Sequence, residues 1–241
     1  HGERPAPERM HRYERQTVVL EDFAAEGYVL DVGGGGEGII GQLKPAQVVA
    51  IDLSARELMG APAGPLKIVM DATDLKFLDE TFGTATSFFT LMYMKPADQE
   101  RAARELHRVL RPGGRLLVWD VLLPARFDAV KDIAVFPLDI KFLGRTVSTG
   151  YGTFFPEKAH DLPYYVGVLE RAGFTVTAQS TSGRTFFAEA RKARTPGAGT
   201  PKSEAPGSLD EQLQQVAARP SRVHEHPRAV AFAAVEPPVY R

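Results

Sequence analysis

The sequence predicts an α/β fold, a mostly parallel sheet with helices on both faces. Two observations carry this reading. Short apolar runs that each stop at an acid, Tyr28–Leu30 before Asp31 and Val48–Ile51 before Asp52, enclose a glycine-rich turn at Gly33–Gly36 and Gly38. Strand, glycine turn, helix, strand is the βαβ core of a nucleotide-binding domain. Further apolar runs then alternate with amphipathic stretches as far as about Lys192. Such alternation builds parallel sheets covered by helices.

Composition narrows the function. The 241 residues contain no cysteine, which excludes a disulfide framework, cysteine-held metal and a cysteine nucleophile. The formal net charge of −1 gives no global basic field for nucleic acid. No apolar run approaches the ~18 residues of a membrane span, and no secretory signal is visible. A cytoplasmic protein is the expectation.

The acids around the turn point to a ligand. Glycines let a ligand approach the backbone closely. Gly33, Gly35 and Gly38 alone match the loose pattern of any dinucleotide binder. Asp52 ends the second strand, where a carboxylate accepts both ribose hydroxyls. Asp31 stands just before the glycines. A carboxylate there repels a pyrophosphate and suits a ligand with an ammonium and a sulfonium. That ligand is S-adenosylmethionine.

Here the chain resembles the class I S-adenosylmethionine-dependent methyltransferases, over roughly residues 28–192. Asp31-x-Gly33-x-Gly35 fits the family's acid-then-glycine motif. The family's third glycine falls on Glu37, and Gly38 comes one residue late. The string RVLRPGGRLLVWD, residues 108–120, is a second match. LERAGFTVTAQSTSGRTFFAEARK, residues 169–192, resembles the family's closing helix and antiparallel strand pair. The resemblance implies a Rossmann-like, seven-stranded, mostly parallel sheet with a reversed edge strand. It implies a cofactor site of Asp31, Gly33, Gly34, Gly35, Asp52, Leu53, Asp71, Ala72 and Thr90, with Asp71 accepting from the adenine amino group.

In chain order, Met10, Tyr13, Thr17, Leu20 and Phe23 recur at helical spacing and predict a helix over 8–23. In the resembled family such a leading helix lies over the cleft, which would bring His11 and Tyr13 to the site. Ser54 can cap a short helix to about Met59. Strands follow at 66–70 and 84–89. Met92, Tyr93 and Met94 then lie beyond a strand's carboxyl end, where open α/β sheets bind ligands. Pro96–Leu110 is an amphipathic helix and Arg115–Leu122 a strand. Residues 123–163 exceed a minimal connection. Within them 133–142 and 145–155 predict an aromatic β-ribbon turned at Leu143-Gly144. It reads as a lid or acceptor-binding insert, with a homodimer contact as the rival. A helix over 157–172 and a hairpin over 174–190 complete the domain, assigned to 1–192. A linker over 193–207 and an extension over 208–241 follow; there His224 and His226 lack a third metal ligand.

A sulfonium methyl is already activated, so in-line placement and exclusion of water are the main tasks. Candidate catalytic residues are Tyr93, Tyr151 and His160, with Asp120 a further candidate base. The expected reaction is direct methyl transfer to a small molecule, without metal. An RNA or protein methyltransferase, or a silent S-adenosylmethionine-binding regulator, is the alternative.

Overall fold

The computed structural model describes residues 5–194. The extension over 208–241, with His224 and His226, and the linker from 195 onward lie outside the described residues.

The chain does not open with the expected helix. It opens with two short strands, β1 (Met10–Arg12) and β2 (Gln16–Val19). The spacing of apolar residues over 8–23 suits a helix, but Thr17, Val18 and Val19 are β-branched and favour extended backbone. Val18 and Leu20 are buried while Val19 between them is 65% exposed, the period of a strand. The deciding partner is remote. Both strands pair in parallel with one later strand, Met10 opposite Ile133 and Gln16 opposite Leu138.

The central βαβ unit forms as expected. β3 (Val29–Val32) leads through the glycine turn into the short α1 (Ile39–Leu43) and β4 (Val48–Asp52). α2 (Ala55–Gly60) starts at Ser54, whose side chain accepts from the Glu57 amide at 3.2 Å. β5 (Leu66–Val69) and β6 (Phe82–Phe88) follow, then α3 (Pro96–Val109) and β7 (Leu110–Val121). The predicted ribbon is present as β8 (Ile133–Phe142) and β9 (Arg145–Phe154). Its turn has positive φ at both Leu143 and Gly144, 49° and 72°. That is the hand of a two-residue hairpin turn. α4 (Leu162–Arg171) begins five residues later than 157, because Asp161 caps it by accepting from the Tyr164 amide and Pro163 occupies its first turn. The closing hairpin is β10 (Phe174–Ser182) and β11 (Thr185–Lys192).

The main sheet has seven strands in the order β10-β11-β7-β6-β3-β4-β5. Strands β3 to β7 run parallel, and β11 runs antiparallel to both neighbours. The reversed strand therefore sits one place inside the edge, not at it, because the tight turn at Gly183 folds β10 along its outer side. The chain winds outward from β3 to β5, then returns to place β6 on the other side of β3. The ligand cleft of such a sheet lies at that switch, beyond the carboxyl ends of β3 and β6.

One face of the sheet packs on α3 and α4, with Leu30, Val32, Ile51, Leu106, Val109 and Tyr165 in that core. The other face packs on α1 and on the second sheet, in which β8 is flanked by β9 and by β1 and β2. Tyr13 stacks on Phe136 at 4.9 Å, and His11 packs against Tyr13 and Phe127, so both serve this second sheet instead of the cofactor cleft. Phe136 is fully buried. Phe136→Ala is expected to cost about 3–5 kcal/mol of stability. Denaturant unfolding measures it, and a loss below about 1 kcal/mol would show that the second sheet is not part of the core.

Candidate functional site

The glycine turn is pinned by backbone bonds. The amides of Gly33 and Gly34 donate to Ile51 O at 2.8 and 3.0 Å, and the Gly36 amide donates to Glu57 O at 3.1 Å. These bonds draw the turn down onto the end of β4 and onto α2. The close approach is what requires glycine. A Cβ on Gly34 would lie 2.7 Å from the Ala50 Cβ and 2.8 Å from Asp31 Oδ2. One on Gly35 would lie 2.8 Å from Asp52 Oδ2. Thr90, past the end of β6, donates to Val32 O at 3.0 Å and closes the turn from the other side.

Three carboxylates stand at neighbouring strand ends. Asp31, on β3, is buried and accepts from the Thr86 hydroxyl at 2.7 Å. Asp52, on β4, accepts from the Ser54 amide at 2.8 Å and the Gly35 amide at 3.3 Å. Asp71, after β5, accepts from the amide and hydroxyl of Thr73, each at 2.8 Å. Leu53 beside Asp52 is 52% exposed, whereas Ala72 beside Asp71 is buried. The row offers acceptors to ribose hydroxyls and negative charge to a cation, with no lysine or arginine in ion contact with Asp31, Asp52 or Asp71 among the described residues.

Across the cleft lies an aromatic wall. Phe89, at the end of β6, holds a positive φ of 52°, a strained setting for a bulky residue. Its ring stacks on Tyr151 of β9 at 5.1 Å. Tyr151 donates to Glu37 Oε2 at 3.2 Å, and the Thr149 hydroxyl donates to Glu37 Oε1. Thr153, next on the same face of β9, donates to Met92 O at 2.8 Å. The insert is thus tied both to the glycine turn and to the 91–93 turn. Tyr93 is 46% exposed, yet desolvation, followed by the charges of Asp120 and Glu37, drives its phenol above the usual range.

The structure brings Tyr93 and Tyr151 near each other, and His160 lies beside Leu123 and Tyr164. His160 pairs through its backbone with Leu123, and its ring stacks on Tyr164 at 4.0 Å. Burial lowers its pKa, which keeps the ring neutral. Asp120 is buried and accepts from the amides of Val121 at 2.8 Å and Met92 at 3.2 Å. It fixes the 91–93 turn that carries Tyr93. Glu37 and Thr149 are site residues that sequence reasoning did not select. The one trace of Glu37 was its place where the resembled motif has glycine.

A methyltransferase-domain family matches residues 30–118. A demethylmenaquinone methyltransferase of Thermus thermophilus is 31% identical over 183 residues, 68% of this chain and 82% of that protein. The chain belongs to the class I S-adenosylmethionine-dependent methyltransferases. A ubiquinone/menaquinone biosynthesis C-methyltransferase of Pseudoalteromonas translucida is 28% identical over 130 residues, 48% of this chain and 51% of that one. Among solved structures, an S-adenosylmethionine-dependent methyltransferase of Methanosarcina mazei superposes with a TM-score of 0.53 at 17% identity, over 72% of this chain and 95% of that one. One from Mesorhizobium loti gives 0.50 at 19%, over 70% and 94%. These two likenesses show the fold.

The methyltransferase uses S-adenosylmethionine as its cofactor. No helix of the described residues is long and apolar enough to cross a membrane. No group of three or more metal-ligating side chains occurs among them.

Two buried acids give the methyltransferase a pH signature. Desolvation raises Asp31 to about 7, with Thr86 opposing and Asp52 adding to the rise. Desolvation likewise raises Asp120 to about 7 against its backbone donors. A raised carboxyl pKa means that the folded state holds the proton more tightly than the unfolded chain, near 3.8. The stability from these groups is therefore fully present below about pH 4 and is lost as pH rises to about 7. The unliganded protein should lose stability over that window from these two groups. Asp31→Asn should flatten the profile; an unchanged slope in thermal unfolding would show that Asp31 is not desolvated.

Proposed function

We propose that this methyltransferase transfers a methyl group to a ring carbon of a small hydroxylated aromatic of the quinol class. The carrying observation is the likeness to a relative named for demethylmenaquinone, which extends over most of both chains. The half-exposed ring of Tyr93, near the stacked pair Phe89–Tyr151, supports it, since an aromatic face packs well against a flat ring.

The residues present fit the cofactor. Asp52 would hold the ribose hydroxyls, and Leu53, Asp71 and Ala72 would surround the adenine. Asp31, the Gly33–Gly35 backbone and Thr90 would hold the methionine portion. The glycines supply the close backbone approach, because any Cβ on Gly34 or Gly35 would strike Ala50, Asp31 or Asp52. When bound, S-adenosylmethionine supplies an electrophilic methyl on a cationic sulfur. The chain's own residues orient the acceptor and handle its proton. We read residues 123–163 as a lid over this site instead of a dimer contact. The reading rests on the hydroxyls of Thr149 and Tyr151 reaching Glu37 in the glycine turn.

Calorimetry should find saturable S-adenosylmethionine binding, weakened by Asp52→Ala on the order of 10- to 100-fold, as expected for lost charged hydrogen bonds. Affinity should rise with pH through about 7, because Asp31 must lose its proton to meet a cation. At pH 6 it should be about tenfold weaker than at pH 8. Incubation with a naphthohydroquinone bearing a free ring position should yield S-adenosylhomocysteine and a carbon-methylated product by mass spectrometry. Methylation on oxygen, or no turnover of any hydroquinone, would overturn the acceptor assignment.

A further inference from the structure

Glu37 occupies the position of a glycine in the resembled motif, and its carboxylate is turned to β9. Both its oxygens accept hydroxyl hydrogen bonds from β9, one from Thr149 and one from Tyr151. It has no ion pair among the described residues. Asp120, the other carboxylate beside the tyrosines, is already engaged by the backbone amides of Val121 and Met92. Glu37 is the turn carboxylate that accepts from two hydroxyls of β9. Tyr151 is clamped against Phe89, so its hydroxyl is held in place between the carboxylate and the aromatic wall. The same hydroxyl feels the charges of Glu37 and Asp120 and lies near Tyr93.

We propose that Tyr151 and Glu37 form a proton relay that ionises the acceptor's hydroxyl. The inference rests on the hydroquinone reading above. As the acceptor O–H bond breaks, its proton passes to the Tyr151 oxygen while Tyr151 gives its own proton to Glu37. The oxygen's freed electron pair enriches the neighbouring ring carbon, which forms the new bond to the methyl carbon as the carbon–sulfur pair stays on sulfur. That ring carbon then loses its hydrogen to water as a proton, and its electron pair restores the aromatic ring. The proton on Glu37 returns through Tyr151 to the acceptor oxygen. One proton is released per turnover, balancing the loss of the sulfonium charge. Tyr151 would touch the acceptor; Glu37 acts through it.

The test compares wild type, Glu37→Gln, Tyr151→Phe and the double variant on a naphthohydroquinone. Both single variants should lower kcat on the order of 10²- to 10⁴-fold. The double variant should be little worse than either, since both break one relay. S-adenosylmethionine affinity should stay at the wild-type value. Turnover of Glu37→Gln should recover as pH approaches the acceptor's own ionisation, about 10 for a phenol. A readout without turnover is available with S-adenosylhomocysteine bound. The ultraviolet band of a bound naphthol should shift to its ionised form at lower pH in wild type than in Glu37→Gln. Unchanged kcat in both variants, or a loss that tracks cofactor affinity and Tm without high-pH recovery, would overturn the relay while the acceptor assignment stands. A wild-type enzyme that binds the cofactor but ignores every hydroquinone would overturn the acceptor assignment, and the relay with it.

Discussion

A carboxylate buried at the end of a parallel strand is the constraint on which this site depends. Asp31 has one side-chain donor, the Thr86 hydroxyl, and an acid of the same sign at the end of the next strand. Alone, it holds its proton to about pH 7. Among the described residues no lysine or arginine pairs with it. The site is therefore unfinished electrostatically, and a cationic ligand completes it. Local destabilisation of this kind is common where a structure is shaped for a partner. The glycine turn follows from the same constraint. The ligand must approach Asp31 from above, so the turn is drawn down by the Ile51 and Glu57 carbonyls and cannot carry side chains at Gly34 or Gly35.

Asp120 shows that burial alone does not mark a ligand site. It is as deeply buried as Asp31 and as strongly shifted. Its donors, however, are backbone amides of its own strand and of the 91–93 turn. Such bonds favour the charged carboxyl and oppose its desolvation, and they tie the 91–93 turn that carries Tyr93 to β7. The two aspartates thus split the work. One waits for a cation, and the other holds the wall across which the acceptor must lie.

Much of this was legible in the sequence because it is local. A strand that stops at an acid, a glycine turn, Ser54 before a helix, and Leu143-Gly144 between two β-rich runs all act within a few residues. The misread segment is the one whose partner is distant. Residues 8–23 have a spacing that a helix accommodates, and only the open edge of β8, more than a hundred residues on, converts them to strands. Glu37 was obscured for the same reason. Its partners Thr149 and Tyr151 lie 112 and 114 residues away. His160 belongs to a third kind. A histidine among tyrosines has the composition of a catalytic group, and the structure stacks its ring on Tyr164 and pairs its backbone with Leu123.

The distant contacts also separate the proposed cofactor and acceptor halves along the chain. In the proposed assignment the cofactor half comes from residues 31–90, the βαβ core with β5 and β6. The acceptor wall is built from β9, which the chain reaches only after the sheet's fifth parallel strand. The two halves meet at Glu37 and at the Thr153–Met92 bond. Changing β9 reshapes the acceptor wall without touching Asp31, Asp52 or the glycines. Changing Glu37 does the reverse of what its position in the motif suggests. It leaves the backbone cradle of the cofactor in place and removes the anchor by which the insert is registered over it. The residue that breaks the glycine pattern is therefore the one through which the glycine turn and the insert are joined.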